Sequence, residues 1–161
     1  MDRSAPSRAP YPFGDLLALA RQSWLGQLAD RLAVLGYADY RRSDAAAMRL
    51  LRRGPVPVGK LGTALGVTRQ AARKVADGLS QRGYATTDRD SRDSRQLNVT
   101  LTQAGQEYAR AVTAVIEELN REVRQRTNPA ELTAADAVLR AALFDEGTQQ
   151  RASRLARPPS A

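Results

Sequence analysis

Apolar residues recur at helical spacing in two long segments, one towards each end of the chain. The first stripe runs for about six turns and stops at Gly36; its members are Leu17, Trp24, Leu25, Leu28, Leu32 and Leu35. The second follows Thr102 and consists of Tyr108, Ala111, Val112, Val115, Ile116, Leu119 and Val123. After a break at Asn128-Pro129, a last helix is predicted by Leu132, Ala135, Val138, Leu139, Ala142 and Leu143. Helices this long exceed what one small domain can cover, so we expect part of these stripes to meet a second subunit.

Shorter helical patterns lie between the two long ones. Ser43 is a suitable N-cap, and Asp44 behind it places negative charge at the positive end of the helix dipole. Met48 and Leu51 supply the buried side of this helix, which stops at Gly54-Pro55. A single helix of about two turns is therefore predicted here.

Two further short helices, broken at Gly66-Val67-Thr68, have the pattern of a helix-turn-helix. Thr68 is predicted to cap the second helix, because its hydroxyl can accept from amides of the first turn, and Gly83 is predicted to end it. The inward face carries Ala72, Val75, Ala76 and Leu79. The opposite face carries Arg69, Gln70, Arg73 and Lys74.

Two strand-like runs, 84–87 and 96–101, lie on either side of a charged segment, 88–95. A helix-turn-helix followed by a basic-tipped hairpin is a winged helix-turn-helix. The predicted fold class is mainly α with a small β wing, flanked by terminal dimerisation helices. The chain then divides into a flexible lead (1–12), dimerisation helices (13–36 and 103–146), a winged helix-turn-helix DNA-binding region (43–102) and a basic flexible tail (147–161).

The composition excludes several kinds of chemistry. Neither cysteine nor histidine occurs in the 161 residues, which removes disulfides, thiolate nucleophiles, Cys/His metal sites and histidine general bases. Adjacent acids such as Glu117-Glu118 cannot face one another on a helix, and no phosphate-binding glycine loop follows a strand. We therefore expect no enzyme activity, no metal and no cofactor.

The chain also lacks the sequence features of a membrane or secreted protein. No apolar run approaches the roughly 20 residues that span a bilayer, and the start has no signal-peptide pattern. We therefore expect a cytoplasmic protein without a membrane partner.

The net charge of +8 favours a polyanionic partner, although a merely soluble basic protein would also carry it. The distribution of charge favours nucleic acid, because residues 60–95 contain eight basic residues and four aspartates, half of the net charge. A two-fold homodimer would place two such regions about 34 Å apart, as a pseudo-palindromic operator in double-stranded DNA requires.

The order of elements and the central motifs resemble the MarR family of bacterial transcriptional regulators. The matching motifs are Leu65-Gly66-Val67-Thr68-Arg69, Leu79 to Gly83, Asp93-Ser94-Arg95, and Val99-Thr100-Leu101-Thr102 with Gly105. They span about forty residues with the family's spacing between recognition helix and wing, whereas the flanking helices match only in pattern and order.

The resemblance implies DNA contacts at the matched positions. It implies that Arg95 enters the minor groove and that Asp93 orients the basic groups of the wing, where Arg92 is a further candidate. It also implies major-groove contacts from Arg69, Gln70, Arg73 and Lys74, with Thr68 near a phosphate. The alternatives are a solvated helix face and local pairing of the wing arginines with aspartates, which is worth at most about 1 kcal/mol per pair.

Two departures from the family's pattern change what the resemblance implies. Thr87 stands where many members carry a basic residue, which removes one expected backbone contact. The absence of cysteine excludes the family's redox-sensing branch.

The family further implies a small aromatic or phenolic ligand that releases the protein from DNA. Such a ligand would bind between the dimer helices and the DNA-binding lobe. Candidate contacts are Trp24, Tyr37, Tyr40, Arg41 and Tyr108. The alternative for the aromatic residues is a place in the core or the dimer interface.

Together these observations predict a homodimeric, sequence-specific DNA-binding transcriptional regulator, a repressor released by a small ligand. Two rival hypotheses remain, a winged-helix module for protein assembly and a protein that coats DNA non-specifically without ligand response. The first rival predicts no DNA affinity beyond charge attraction, and the second predicts steep salt dependence without sequence preference.

Overall fold

The computed structural model describes residues 12–89 and 96–155, which form seven helices and three strands. In chain order these are α1 (Phe13–Val34), α2 (Asp44–Leu51), β1 (Val56–Pro57), α3 (Val58–Leu65), α4 (Arg69–Gln81), β2 (Ala85–Arg89), β3 (Leu97–Leu101), α5 (Gln103–Gln125), α6 (Pro129–Ala141) and α7 (Glu146–Leu155). The predicted fold class, a mainly helical winged helix-turn-helix with terminal helices, is confirmed.

The wing is part of a three-stranded antiparallel sheet in the order β1-β3-β2. β2 and β3 pair from Ala85 opposite Leu101 to Arg89 opposite Leu97. β1 was not predicted, because its two residues include Pro57 and look like a helix stop. It lies at the edge of the sheet, where a proline is tolerated, and it pairs Val56 with Val99.

The core lies where α1, α2 and α5 meet the helix-turn-helix and the sheet. The largest fully buried side chains are Tyr108, Leu28, Leu32, Met48, Leu51, Leu61, Leu79, Val99, Val112 and Asp44. All are apolar or aromatic except the last, which is the carboxylate discussed below.

The two long stripes are only partly used within one chain. On α1, Leu28 and Leu32 are buried, whereas Leu17 and Leu35 are 40% and 56% exposed. The α5 stripe is buried against the chain's own α1 and α2 as far as Leu119. α6 has no buried residue at all. The apolar surface without a partner therefore lies on the first half of α1, on α6 and, in a smaller patch, at the C-terminal end of α1, where Val34 is exposed beside Leu35.

The prediction of a flexible tail over 147–161 is wrong for its first part. Residues 146–155 form α7, whose first turn is held by Asp145, since the amide of Thr148 donates to Asp145 Oδ1 at 2.8 Å. Hydrogen bonds from Thr148 lower the pKa of Asp145 and keep this cap ionised. The sequence shows no apolar periodicity here, so the only local feature that could have predicted this helix is Asp145 as a capping residue. The predicted lead as far as residue 11 and the end of the tail, 156–161, lie outside the described residues.

A buried ion pair connects α2 to the end of α4. Asp44 is fully buried and accepts hydrogen bonds from both terminal nitrogens of Arg82 (2.7 and 3.0 Å), from the Tyr108 hydroxyl (2.9 Å) and from the Arg41 amide (3.0 Å). The predicted capping role of Ser43 is wrong, because Ser43 has helical backbone angles and its side chain makes no capping bond. Asp44 does not act on the helix dipole alone; it is the centre of a polar network.

Three tyrosine rings cover this network. Tyr108 stacks on Tyr84 with ring centroids 4.4 Å apart and lies 4.8 Å from Tyr37. Burial, together with the hydroxyl's hydrogen bond to Asp39, raises the pKa of Tyr84 to about 12. Burial first, and the neighbouring Asp44 carboxylate second, also raise the pKa of Tyr108 well above its ordinary value. Both hydroxyls are therefore neutral donors at physiological pH.

The junction between the wing and α5 accounts for the V-x-L-T-x-x-G motif. The hydroxyl of Thr102 donates to the Gly83 carbonyl at 2.6 Å and accepts from the Gly105 amide at 3.0 Å, so it caps α5 and ties it to the end of α4. A Cβ on Gly105 would run into the carbonyl oxygen of Tyr84. The motif therefore fixes the first turn of α5 against the end of the recognition helix.

We expect Gly105→Ala to destabilise the protein by about 1–3 kcal/mol, because the added methyl group overpacks the contact with the Tyr84 carbonyl. Gly26→Ala is the matched control. A Cβ there meets nothing within 4 Å, so alanine in mid-helix is expected to stabilise by about 0.5–1 kcal/mol. Urea unfolding of the two variants measures both effects. Equal unfolding free energies would contradict this account of the motif.

Candidate nucleic-acid interface

The helix-turn-helix is a close contact between α3 and α4. A Cβ on Gly62 would lie 3.1 Å from the Val67 carbonyl oxygen and 3.3 Å from Ala72 Cβ, so the small residue sets the distance between the helices. Gly66 ends α3 with a φ of +70°, a conformation that glycine adopts without strain. These two glycines turn the start of α4 away from the core.

Thr68 caps α4 as predicted. Its side chain accepts from the Ala71 amide at 3.2 Å, and its backbone is extended, as an N-cap requires. The opposite end of α4 is closed by Gly83, with a φ of +77° and a hydrogen bond from the Tyr84 amide to the Leu79 carbonyl. Both predicted helix ends are confirmed.

The outward face of α4 is polar and exposed, in the orientation that the periodicity predicted. It carries Arg69, Gln70, Arg73 and Lys74. Arg73 pairs along the helix with Asp77, with 2.8 Å between Nε and Oδ1. Both side chains are about half exposed, so the pair is worth at most about 1 kcal/mol and can exchange Asp77 for a phosphate.

A cleft of about 380 Å³ lies between this helix and the wing. Lys60 and Thr63 of α3, Arg69 of α4, and Gln96 and Leu97 of the hairpin line it. Lys60 belongs to the basic segment 60–95, but the sequence pattern alone does not predict it as a site residue. Its exposed position in the first turn of α3 is the signal that identifies it.

The wing is described up to the base of its tip. Arg89 is exposed at the end of β2, where the hairpin leaves the sheet. Arg92, Asp93 and Arg95, the predicted tip contacts, lie outside the described residues. Their proposed roles rest on the sequence alone.

Arg82 is a positioning residue that the sequence interpretation missed. It is the C-cap of α4, directly after Gln81, and its largely buried side chain donates to the Gly78 carbonyl at 2.9 Å and pairs with Asp44. Burial acts to lower the pKa of Arg82, but hydrogen bonding and charge from Asp44 outweigh it, so the pKa is raised. Two features of the sequence could have predicted this pair: Arg82 continues the apolar stripe of α4, and Asp44 lies on the apolar stripe of α2.

None of the predicted ligand contacts lines the cleft beside α4 or the second cleft described below. Tyr108 is fully buried, and Trp24, Tyr37 and Tyr40 are partly buried against the core. Arg41 lies over the recognition helix, with Nη1 2.8 Å from where a Gly78 Cβ would be. The core alternative therefore describes the tyrosines best.

A different cleft of about 380 Å³ lies between the end of α2 and α5. Its lining residues are Arg52, Gln106, Arg110, Thr113, Ala114 and Glu117. Arg52 is held in place because Nη1 donates to the Thr113 hydroxyl at 2.9 Å. Two guanidinium groups at one cleft can bind a small anion.

Among residues 12–89 and 96–155 no cluster of acidic side chains has the arrangement of a metal site. In the same part of the chain, no helix is long and apolar enough to cross a membrane.

Comparison with known proteins identifies the fold. No family model and no curated protein matches the chain. Solved structures match along most of its length. A mutant of MarR from E. coli complexed with operator DNA has a TM-score of 0.70 at 20% identity, over 83% of this chain and 94% of that one. The MepR–DNA complex from S. aureus has a TM-score of 0.73 at 17% identity, over 83% of this chain and 98% of that one.

A third solved structure concerns a ligand. BpsR from Bordetella bronchiseptica, described for the regulation of its DNA binding by 6-hydroxynicotinic acid, has a TM-score of 0.70 at 21% identity, over 88% of this chain and 100% of that one. The chain therefore has the winged helix fold of the MarR regulators.

We expect Thr68→Ala to destabilise the protein by about 1 kcal/mol, because α4 loses the hydroxyl that caps it. Ser43→Ala is the control, since Ser43 precedes α2 without forming a capping bond and should change stability little. Thermal unfolding of both variants provides the measurement. The assignment of the caps is contradicted if the serine variant loses as much stability as the threonine variant.

Proposed function

We propose that this chain is a MarR-type transcriptional regulator that binds double-stranded DNA as a homodimer, a repressor that a small anion releases. The observation that carries the proposal is the exposed polar face of α4, which begins at a capped turn and lies beside the hairpin. Helix α4 would occupy the major groove, and the hairpin tip would reach the adjacent minor groove. The MarR and MepR structures with DNA have the same fold.

Within this proposal the polar residues of α4 differ in role. Gln70 has the amide that can pair with adenine, and Arg73 the guanidinium that can pair with guanine, each worth about 1–3 kcal/mol of discrimination. Thr68, Arg69 and Lys74 supply backbone contacts around them, joined by Lys60 from α3. Arg92 and Arg95, oriented by Asp93, complete the contacts from the wing.

Dimerisation is supported by the apolar surface that the chain leaves uncovered. The exposed residues of this surface are Phe13, Leu16, Leu17 and Leu19 on α1, Val138 and Leu139 on α6, and Phe144. Val34 and Leu35 at the end of α1 are also exposed, and Phe144 lies between α6 and α7. Of the exposed large apolar residues in the described part of the chain, Val67 alone lies in the helix-turn-helix, and the others lie in or beside the terminal helices. A two-fold dimer through these helices would present two α4 helices to successive major grooves.

Release by a ligand is supported by the cleft between α2 and α5. Arg52 and Arg110 line it, and α5 is the helix whose Tyr108 bonds to Asp44 behind the recognition helix. An aromatic anion bound there would act on the element that holds α4. BpsR, with the same fold, is described as regulated by such an anion.

DNA binding is tested with duplexes selected from a genomic library, compared with random duplexes at two salt concentrations. We expect the selected duplexes to bind at least about 10³-fold more tightly, and Arg73→Ala to reduce this preference by about 1–3 kcal/mol. Arg126→Ala is the control, because it also removes an exposed i,i+4 ion pair but at the far end of α5. Equal binding of selected and random duplexes would leave the non-specific coating hypothesis. No binding would leave the protein-assembly hypothesis.

Dimerisation is tested by light scattering after gel filtration. The parent protein is expected at twice the mass of the chain, and Leu139→Glu is expected at the mass of the monomer, because it places a charge on the uncovered face of α6. Ala46→Glu on the exposed side of α2 serves as the control and should remain a dimer. A parent protein that is monomeric at micromolar concentration would contradict the proposal.

Ligand response is tested by adding benzoate or hydroxybenzoate to the protein–DNA complex. We expect DNA affinity to fall, and Arg110→Gln to need a higher anion concentration for the same effect. Arg121→Gln, exposed on α5 outside the cleft, should behave like the parent. If neither anion changes DNA affinity beyond an equal concentration of chloride, release by this class of ligand is excluded.

A further inference from the structure

We propose that α7 carries an additional DNA-backbone contact, in which Arg151 binds a phosphate beside the turn of the helix-turn-helix. This segment follows α6, the last helix that the apolar pattern of the sequence predicts. The inference rests on the proposed DNA binding and adds a further element of the chain to the interface of α3, α4 and the wing.

The geometry places the Arg151 guanidinium directly on the turn between α3 and α4. A Cβ built on Gly66 would lie 3.0 Å from Arg151 Cζ and 3.2 Å from both Nε and Nη1. Gly66 is two residues before Thr68, the N-cap of α4. The turn therefore has room for the guanidinium because residue 66 has no side chain, and the charge lies next to the start of the recognition helix.

The first turn of α7 holds this side chain in position. Arg151 Nη2 donates to the Thr148 hydroxyl at 2.6 Å, and the Thr148 amide in turn bonds to Asp145. The Arg151 side chain is half-buried, so much of its conformational freedom is already lost before DNA binds. No carboxylate of the described residues lies within 4.0 Å of Arg151. Its charge partner is Asp145, whose pKa is lowered first by hydrogen bonds from Thr148 and further by the charge of Arg151. Such an exposed, loose pairing is weak, so a phosphate can compete with Asp145 for the guanidinium.

The charges beside the turn indicate what Arg151 is suited to bind. Its neighbouring face on α3 and α4 carries Lys60, Arg69, Arg73 and Lys74. These cations repel the Arg151 guanidinium, and a polyanion that contacts both removes the repulsion. The two acids of this segment, Asp145 and Glu146, lie at the opposite end of α7 from its last turn. The arrangement therefore suits a phosphate at Arg151, and a lid formed by α7 is the alternative that the test distinguishes.

The test is the salt dependence of DNA affinity, measured with the full chain and both selected and random duplexes. Each phosphate contact contributes about 0.9 to the slope of log affinity against log salt. We expect Arg151→Gln to reduce the slope by about 1.8 for the two copies in a dimer, and to weaken binding to both duplexes by the same factor. Arg151→Lys keeps the charge and should retain most of the slope. Arg124→Gln removes one exposed charge at the far end of α5 and should leave the slope unchanged.

The outcomes separate this inference from the proposed function. A parent protein that binds DNA, together with an Arg151→Gln variant of unchanged slope, overturns the contact and leaves the function in place. Tighter binding by Arg151→Gln also overturns it and identifies α7 as a lid. Failure of the parent to bind any duplex removes both. An equal loss for Arg151→Lys and Arg151→Gln contradicts a phosphate contact, since it would show that shape and not charge matters.

Discussion

The ion pair between Asp44 and Arg82 is the interaction on which the position of the recognition helix depends. Asp44 is fully buried and the Arg82 side chain is only 11% exposed, so both charges have lost most of their water. Such a pair is stable only if other groups satisfy the remaining lone pairs and protons. The Tyr108 hydroxyl and the Arg41 amide do so on one side, and the Gly78 and Asp39 carbonyls do so on the other. One polar contact therefore joins α2, the end of α4 and α5.

This arrangement connects α4, the proposed DNA-binding helix, to α5 through hydrogen bonds at both the wing junction and the ion pair. Thr102 caps α5 and bonds to the Gly83 carbonyl at the end of α4, and Tyr108, less than two turns further along α5, donates to Asp44 of the ion pair. A change in the angle of α5 would have to break these contacts or carry α4 with it. In the proposed function, an anion at the α2–α5 cleft would act on α4 through these contacts.

The helix-turn-helix could be predicted because its signals are local. Gly66 and Gly83 have the positive φ that ends a helix, and Thr68 caps α4. Polar residues that recur four positions apart along α4 identify its outward face. Longer-range features could not be predicted in the same way. Asp44 and Arg82 are 38 positions apart, and although each charge lies on the apolar side of its helix, nothing in the sequence shows that the two form a pair. Tyrosines occur both in ligand sites and in cores that contain buried polar groups. The sequence does not distinguish these two environments, whereas the packing in the structure does. α7 lacks apolar periodicity, so its local cap was the only sign of a helix.

A double-mutant cycle in urea unfolding tests the central claim most directly, with Asp44→Ala, Arg82→Met and the combined variant. If the pair holds the recognition helix, each single change should cost about 3–5 kcal/mol, because it leaves a buried charge without its partner. The combined variant should then cost clearly less than the sum, with a coupling energy of about 2 kcal/mol or more. Losses that simply add would contradict the account, since they would show that the two residues act independently.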